Sequence, residues 1–213
     1  MSTIESQARD AIAATARSLF ERGLTHGSTG NISVRLGDQF LVTPTGSSFG
    51  NLDPARISRL DARGHLLTGD PPSKEAVLHQ AMYQQRTGAQ AVVHLHSIHS
   101  VAVSVLADID PADVLPPLTA YYVMRVGTLP LVPYFPPGDA NLAEAVRGHA
   151  GRHHALLLAN HGPVVSGTSL AAATDAVEEL EATARLFILL RGQPCRCLTN
   201  EQATDLRQRF PAG

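Results

Sequence analysis

The sequence predicts one α/β domain whose sheet is not purely parallel, and three observations predict it. Two short apolar runs, Ala91-Val92-Val93-His94-Leu95-His96 and Ala155-Leu156-Leu157-Leu158-Ala159, have the length of buried strands. Segments with apolar residues at helical spacing surround them, most clearly from Ser169 to Arg191. Ile32, Val34 and Leu36 alternate with polar residues, Gly37-Asp38 turns the chain, and Phe40-Leu41-Val42 returns as a hairpin. A hairpin joins antiparallel neighbours, so parallel crossover units cannot account for the whole sheet.

The 213 residues, 44% of them hydrophobic, can bury a substantial core, and neither an internal repeat nor a linker interrupts them. A formal charge of −2 gives no electrostatic case for nucleic acid or a membrane surface as partner. Met1 to Asp10 lacks the basic and then apolar pattern of a secretory signal, and no apolar run approaches the ~20 residues of a membrane helix. A cytoplasmic protein is expected. Cys195 and Cys197, two apart, are poorly placed to bridge each other and read as reduced thiols rather than a metal-binding pair.

Along the chain, Ser2-Thr3-Ile4-Glu5 reads as a capping box. Ile4, Ala8, Ile12, Ala16 and Leu19 then form a helical stripe that Gly23 ends. After the hairpin, a turn at Asp53-Pro54 leads to weak strands near 57–60 and 65–67. Ser73 is expected to cap a helix reaching about Gln85, and a further helix runs from about His99 to Leu106. Residues 111–117 form a loop, 129–132 a strand, and Asp139 caps a helix through Val146. The second apolar run is expected to stop at Asn160-His161-Gly162-Pro163. In the long final helix, Leu170, Ala173, Val177, Leu180, Ala184, Phe187 and Ile188 make a packing stripe, and Thr199-Asn200-Glu201-Gln202 caps a short terminal helix.

His94-Leu95-His96 is the most informative tripeptide. Residues two apart on a strand project from one face, so both imidazoles can reach a single ion. His161, directly after the second apolar run, is the best third ligand. Three neutral imidazoles leave a position of Zn²⁺ open, the catalytic pattern. Glu75 is the natural acid–base candidate: beside a metal, a carboxylate can ligate it, take a proton, or do both in turn. His79, one turn on, can orient Glu75 or simply pack. His26 can touch substrate or face solvent, His99 reads as a helix-start residue, and His65, His149, His153 and His154 are expected in surface turns.

Three places suit an anion. The loops Gly27-Ser28-Thr29-Gly30-Asn31 and Thr43-Pro44-Thr45-Gly46-Ser47-Ser48 offer backbone N–H groups and hydroxyls, and Ser73-Lys74 adds a charge near a helix start. Neither loop matches a nucleotide fingerprint.

Taken in order and spacing, Ser28-Thr29-Gly30-Asn31, Thr43-Pro44-Thr45-Gly46, Ser73-Lys74-Glu75, His94-Leu95-His96 and Asn160-His161-Gly162 resemble the class II aldolase/adducin family, over about Ala8 to Arg191. The resemblance implies a central, mainly antiparallel β-sheet flanked by helices, and a homotetramer with sites between subunits. It implies one Zn²⁺ per subunit on His94, His96 and His161, with Glu75 as proton acceptor and fourth ligand. Asn31, Thr45, Gly46, Ser73 and Lys74 match the family's phosphate-binding positions. Lys74 replaces a hydroxyl residue common in related aldolases, which suits a substrate carrying a carboxylate as well as a phosphate. Tyr121, or its neighbour Tyr122, matches a tyrosine proton donor that reaches the next subunit's site.

Within the family, residues 115–127, 23–31 and 158–165 most resemble the 3-oxo-tetronate 4-phosphate decarboxylases. That subgroup implies loss of CO₂ through a metal-stabilised enediolate to give dihydroxyacetone phosphate. The rival expectations are an aldolase cleaving a phosphorylated ketose such as fuculose 1-phosphate, a non-catalytic adducin-like assembly module, and a simple zinc hydrolase. The hydrolase leaves the three anion loops without a task.

Overall fold

Eight strands pair into one sheet in a computed structural model that describes residues 3–210. In chain order they are β1 (Asn31–Leu36), β2 (Gln39–Val42), β3 (Ser58–Leu60), β4 (Leu66–Thr68), β5 (Ala91–His94), β6 (Leu131–Val132), β7 (Ala155–Leu158) and β8 (Gly162–Gly167). Their spatial order is β4-β3-β2-β1-β5-β8-β7-β6. Only the β6–β7 pair is parallel, so the sheet is mainly antiparallel as expected.

The helices are α1 (Thr3–Glu21), α2 (Ala76–Gln85), α3 (Ile98–Ser104), α4 (Ala120–Arg125), α5 (Ala140–Ala150), α6 (Leu170–Leu190) and α7 (Asn200–Arg209). They cover both sheet faces. Ile32, Val93, Leu157 and Val165 pack in one cluster with α1, α3, α4, α6 and α7, through Ile12, Val103, Val123, Val177 and Ala203. Val42, Val92, Leu156 and Val164 pack in the other with α2 and α5, through Met82 and Val146. Adjacent residues of β5, β7 and β8 thus feed opposite cores, which is why β5 and β7 read as unbroken apolar runs.

Several boundaries differ from expectation for identifiable reasons. The chain does not stop at Pro163 but turns back as β8, between β5 and β7. Proline is rare in an interior strand because it lacks a ladder donor. Here Pro163 sits where β5 ends, and its carbonyl still accepts from Leu95 N at 3.2 Å. α2 starts at Ala76 rather than at Ser73. Residues 71–73 instead run beside the 43–45 loop, with Thr45 N donating to Pro71 O and Ser73 N to Thr43 O. Glu75 is therefore the residue preceding the helix, not part of its first turn. α4 was not foreseen; its cap is Thr119, whose hydroxyl accepts from Tyr122 N. α5 runs four residues past Val146, and β5 ends at His94, two residues short of His96.

Ser2 of the expected first capping box lies outside the described residues. On α1, Ile4 is 71% exposed while Glu5 and Arg9 are buried. Arg9 reaches the Glu5 carboxylate and the carbonyls of Pro54 and Ile57. A paired charge can be buried where a periodic apolar count would place only aliphatics.

Candidate metal centre and active site

Four elements deliver the candidate ligands to one spot. His94 ends β5 on the face of Val92, toward α2, and His96 lies just past the strand before α3. His161 occupies the three-residue turn between β7 and β8, where Asn160 holds the left-handed φ of 57° that tight hairpins use. Glu75 precedes α2.

Backbone closeness makes this convergence feasible. Gly162 has φ 153°, and a Cβ there would stand 2.2 Å from Leu95 O. Gly30 (φ 82°) would bring a Cβ to 2.9 Å from His94 O. Both glycine-bearing motifs therefore let neighbouring chain lie directly against the His94–His96 segment.

The three Nε2 atoms form a near-equilateral triangle, with His94–His96 at 3.1 Å, His94–His161 at 3.3 Å and His96–His161 at 3.2 Å. Glu75 Oε1 lies 2.9 Å from His161 Nε2, and Oε2 lies 3.4 Å from His94 Nε2. Tetrahedral Zn–N bonds of ~2.0–2.1 Å place ligand nitrogens ~3.3–3.4 Å apart, close to the observed edges. Among the described residues, Glu75 Oε1 is buried with no hydrogen-bond partner. Such an oxygen facing three imidazole nitrogens fits a divalent cation, and the ligand atoms of Glu75, His94, His96 and His161 lie within 4.8 Å of one another.

The electrostatics agree with a tightly coupled cluster. Burial pushes the Glu75 carboxyl up, but attraction to His94 and the close approach of the His161 and His94 rings outweigh it and hold the group well below the usual range. Burial and the nearby His94 and His161 rings push the His96 ring down to about 3. Glu75 and the Pro163 carbonyl instead outweigh burial and raise His94, so that without an ion the cluster gathers a proton on His94 and leaves the His96 nitrogen free.

The other predicted residues divide by location. Asn31 and Ser73 join the cluster's edge: Asn31 Nδ2 donates to Glu75 Oε2 at 2.8 Å and to Ser73 Oγ at 3.2 Å. Thr45 and Gly46 line a hollow with Ser47, Ser48 and Arg56. Lys74 is exposed beside the turn at Gly138. Tyr121 is 59% exposed on the first turn of α4 and is not among the residues lining the cleft at the histidines. Tyr122 is buried in the core at 1% exposure.

That cleft is lined by His26, His96, Ile98, Val101, Tyr134, Pro137, Asn160 and His161. His26 therefore faces the site rather than bulk solvent alone. The sequence assigns no role to Tyr134, in a proline-flanked segment without periodicity, and offers Asn160 only as part of the Asn160-His161-Gly162 motif. His154, expected in a surface turn, is buried between the carbonyls of Ser166 and Val126. His99 starts α3 as expected, bonded to Glu181.

Comparison with known proteins places these features in a lineage. Residues 10–188 match the model of the class II aldolase and adducin N-terminal domain. The 3-oxo-tetronate 4-phosphate decarboxylase of Haemophilus influenzae is 52% identical over 194 residues, 91% of this chain and 92% of its own. The L-fuculose phosphate aldolase of Escherichia coli is 34% identical over 192 residues, 88% of this chain and 86% of its own. The crystal structure of YgbL from Escherichia coli, a candidate aldolase/epimerase/decarboxylase, superposes with a TM-score of 0.94 at 46% identity, covering 96% of this chain and 100% of that one. With the family model spanning residues 10–188 and relatives aligned nearly end to end, the chain belongs to the class II aldolase/adducin family and is a carbon–carbon lyase.

Proposed function

We propose that the protein is a zinc-dependent carboxy-lyase that converts a 3-oxo-tetronate 4-phosphate to dihydroxyacetone phosphate and CO₂. The observation that carries the reading is the triangle of Nε2 atoms with the unpartnered Glu75 oxygen beside it. Decarboxylation is favoured over aldol cleavage by the 52% identity to a named decarboxylase against 34% to a named aldolase.

In this reading His94, His96 and His161 hold one Zn²⁺ per subunit, with Glu75 as the fourth ligand while no substrate is bound. When bound, the ion supplies a Lewis acid that draws electron density from the substrate's ketone. The substrate is a β-keto acid, so the C1–C2 bond breaks with its electron pair moving toward the C3 ketone. Carbon C2 then takes a proton, delivered from Tyr121 of a neighbouring copy or from water by way of Glu75, which as a carboxylate first accepts the proton it passes on. Asn31, Thr45, Gly46 and Ser73 take the phosphate, and Lys74 the substrate's second negative charge. The reading also carries a single domain over residues 1–213, a cytoplasmic setting, and a homotetramer with sites between subunits. Among the described residues no helix is long and apolar enough to cross a membrane.

Incubation of the zinc-loaded protein with 3-oxo-tetronate 4-phosphate should release CO₂ and dihydroxyacetone phosphate with no aldehyde. The second reading is an aldolase, favoured by a superposition with TM-score 0.88 on an L-fuculose 1-phosphate aldolase. Aldehyde formation from fuculose 1-phosphate, without CO₂ release from the sugar acid, would establish it instead. An adducin-like assembly module would carry no stoichiometric divalent ion.

A further inference from the structure

Asn31, Ser33 and Arg35 share one face of β1, and Glu75, His79 and Tyr83 recur every four residues from the start of α2. Two strand residues rise about 6.6 Å and four helical residues about 6 Å, so the two series stay nearly in step. They meet as rungs of a buried polar ladder between sheet and helix. Asn31 meets Glu75 and His79, Ser33 meets His79 and Tyr83, and Arg35 lies 4.5 Å over the Tyr83 ring.

The direction of every bond in the ladder follows from its end. An ionised carboxylate only accepts, so the group of Asn31 facing Glu75 Oε2 at 2.8 Å must be Nδ2. Its other hydrogen goes to Ser73 Oγ, which leaves Oδ1 for His79 Nε2 at 2.5 Å. That nitrogen must carry the ring proton. A neutral ring then accepts at Nδ1 from Ser33 Oγ at 2.7 Å, and Ser33, its proton spent, accepts from the Tyr83 hydroxyl at 2.8 Å. Burial, with the charge of His94, pulls the His79 ring down to about 3, and burial pushes the Tyr83 hydroxyl well above its usual range. Both groups are thus in the neutral form this pattern needs.

We propose that Tyr83, Ser33, His79 and Asn31 form a one-way hydrogen-bond relay that positions Glu75, tying down Oε2 and leaving Oε1 as the working oxygen. Oε1 is the oxygen without a hydrogen-bond partner among the described residues and lies 2.9 Å from His161 Nε2. The inference rests on the reading of Glu75 as proton acceptor and ligand. It also gives the Asn31 side chain a task besides phosphate, because one amide hydrogen and the carbonyl are engaged within the ladder and only the hydrogen that now meets Ser73 is left for a substrate. Aligned bonds of this kind polarise one another, so the effect reaches Glu75 from Tyr83 although neither Tyr83 nor His79 touches substrate.

The first test needs no activity. Long-range ¹⁵N–¹H correlation of the metal-free protein at pH 7 should show His79 as the Nε2–H tautomer; an Nδ1–H tautomer or an imidazolium overturns the relay. Kinetics with saturating Zn²⁺ and 3-oxo-tetronate 4-phosphate give the second. His79→Leu should lower kcat by about 10- to 100-fold with KM within about twofold, as expected on losing the support of a ligand. His79→Gln, whose amide nitrogen reaches the place of Nε2, should restore kcat to within about fivefold. A normal kcat in His79→Leu, or no rescue by Gln in a folded protein, overturns the proposal. Should His79→Leu fail to fold, Tyr83→Phe tests the far end: a two- to fivefold loss of kcat at unchanged KM is expected on losing one polarising donor, and no loss overturns it. Glu75→Gln is measured alongside. Normal turnover there would sink the role of Glu75 itself, while the His79 tautomer still decides the relay's direction.

Discussion

His94 donates from Nδ1 to the main-chain carbonyl of Pro163 at 2.8 Å, so the start of β8 sets the tautomer of the last residue of β5. A neutral ring that donates from Nδ1 keeps its lone pair at Nε2. That lone pair faces His96 and His161 across 3.1 and 3.3 Å. Nitrogens aimed at one another repel unless a proton, as on His94 in the ion-free cluster, or a metal cation stands between them. Protein purified without chelator should therefore carry about one divalent ion per chain by elemental analysis. At a free metal level about 1,000-fold above Kd, binding adds about 4 kcal/mol of stability. At about 2–4 °C per kcal/mol, adding Zn²⁺ to chelated protein should raise Tm by about 10 °C. His96→Ala should lose the ion and most of that shift; a Tm indifferent to zinc in the unsubstituted protein would end the metal reading.

The paired tyrosines separate by burial. Tyr122 is packed in the core, and among the described residues its hydroxyl has no hydrogen-bond partner. Removing an unsatisfied buried hydroxyl costs little or stabilises, so Tyr122→Phe should change stability by less than about 1 kcal/mol and leave turnover intact. Tyr121 is exposed, as a donor to a neighbouring copy must be. Tyr121→Phe should lower kcat on the order of 100-fold, the usual weight of a positioned proton donor. Mixed oligomers of Tyr121→Phe and His96→Ala chains should recover part of the activity if sites are shared between subunits. The reverse ranking of the two tyrosines would exclude Tyr121.

What could be read from the chain alone divides along physical lines. α6 was legible almost to the residue, because Ser169 caps it and the stripe through Ala173, Val177, Leu180 and Ala184 meets one continuous core. The four candidate ligands, and their convergence on one spot, were legible from the His94-x-His96 spacing and from His161 after the second apolar run. The strand β8 was not, because its proline and glycine argue locally against a strand. The tertiary approach of Gly162 to Leu95 explains the glycine. The polar ladder is latent in the alternation of β1, where Ile32, Val34 and Leu36 mark the strand but the polar residues between them carry no signal of what they meet. Asn31, Ser33 and Arg35 gain meaning only when α2 is laid across them.

Gly162 gives a test of that tertiary approach. Its φ of 153° is strained for any side chain, and an added methyl would meet Leu95 O at 2.2 Å. Gly162→Ala must push β8 away from the segment between His94 and His96. A loss of about 2–3 kcal/mol is expected, the scale of special-φ strain combined with overpacking, or a Tm lower by about 4–12 °C. Zinc affinity should fall with it, since His94 and His161 flank the contact. Retained stability with retained affinity would show that the backbone approach is not needed to form the cluster.

A second buried carboxylate supports the same region from behind. Glu181 of α6 accepts from His99 N at 2.9 Å, from Ser100 N at 2.8 Å and from Ser100 Oγ at 2.7 Å, and its Oε1 lies 2.8 Å from His99 Nδ1. It thereby satisfies the open amides of α3 from another helix, just after His96. Burial raises the pKa of this carboxyl, but the bonds from Ser100 and His99 outweigh burial and leave it lowered. The native state therefore binds the proton more weakly than the unfolded chain, whose glutamates titrate near about pH 4.3. The stabilisation is complete above that value and is lost as pH falls through the lower native pKa. Glu181→Gln should cost about 1.5–3 kcal/mol at pH 7, the range for hydrogen bonds to a charged group. Urea melts of the two proteins should converge as pH drops below about 4. A difference that holds or widens in acid would mean that the carboxylate charge is not what secures α3.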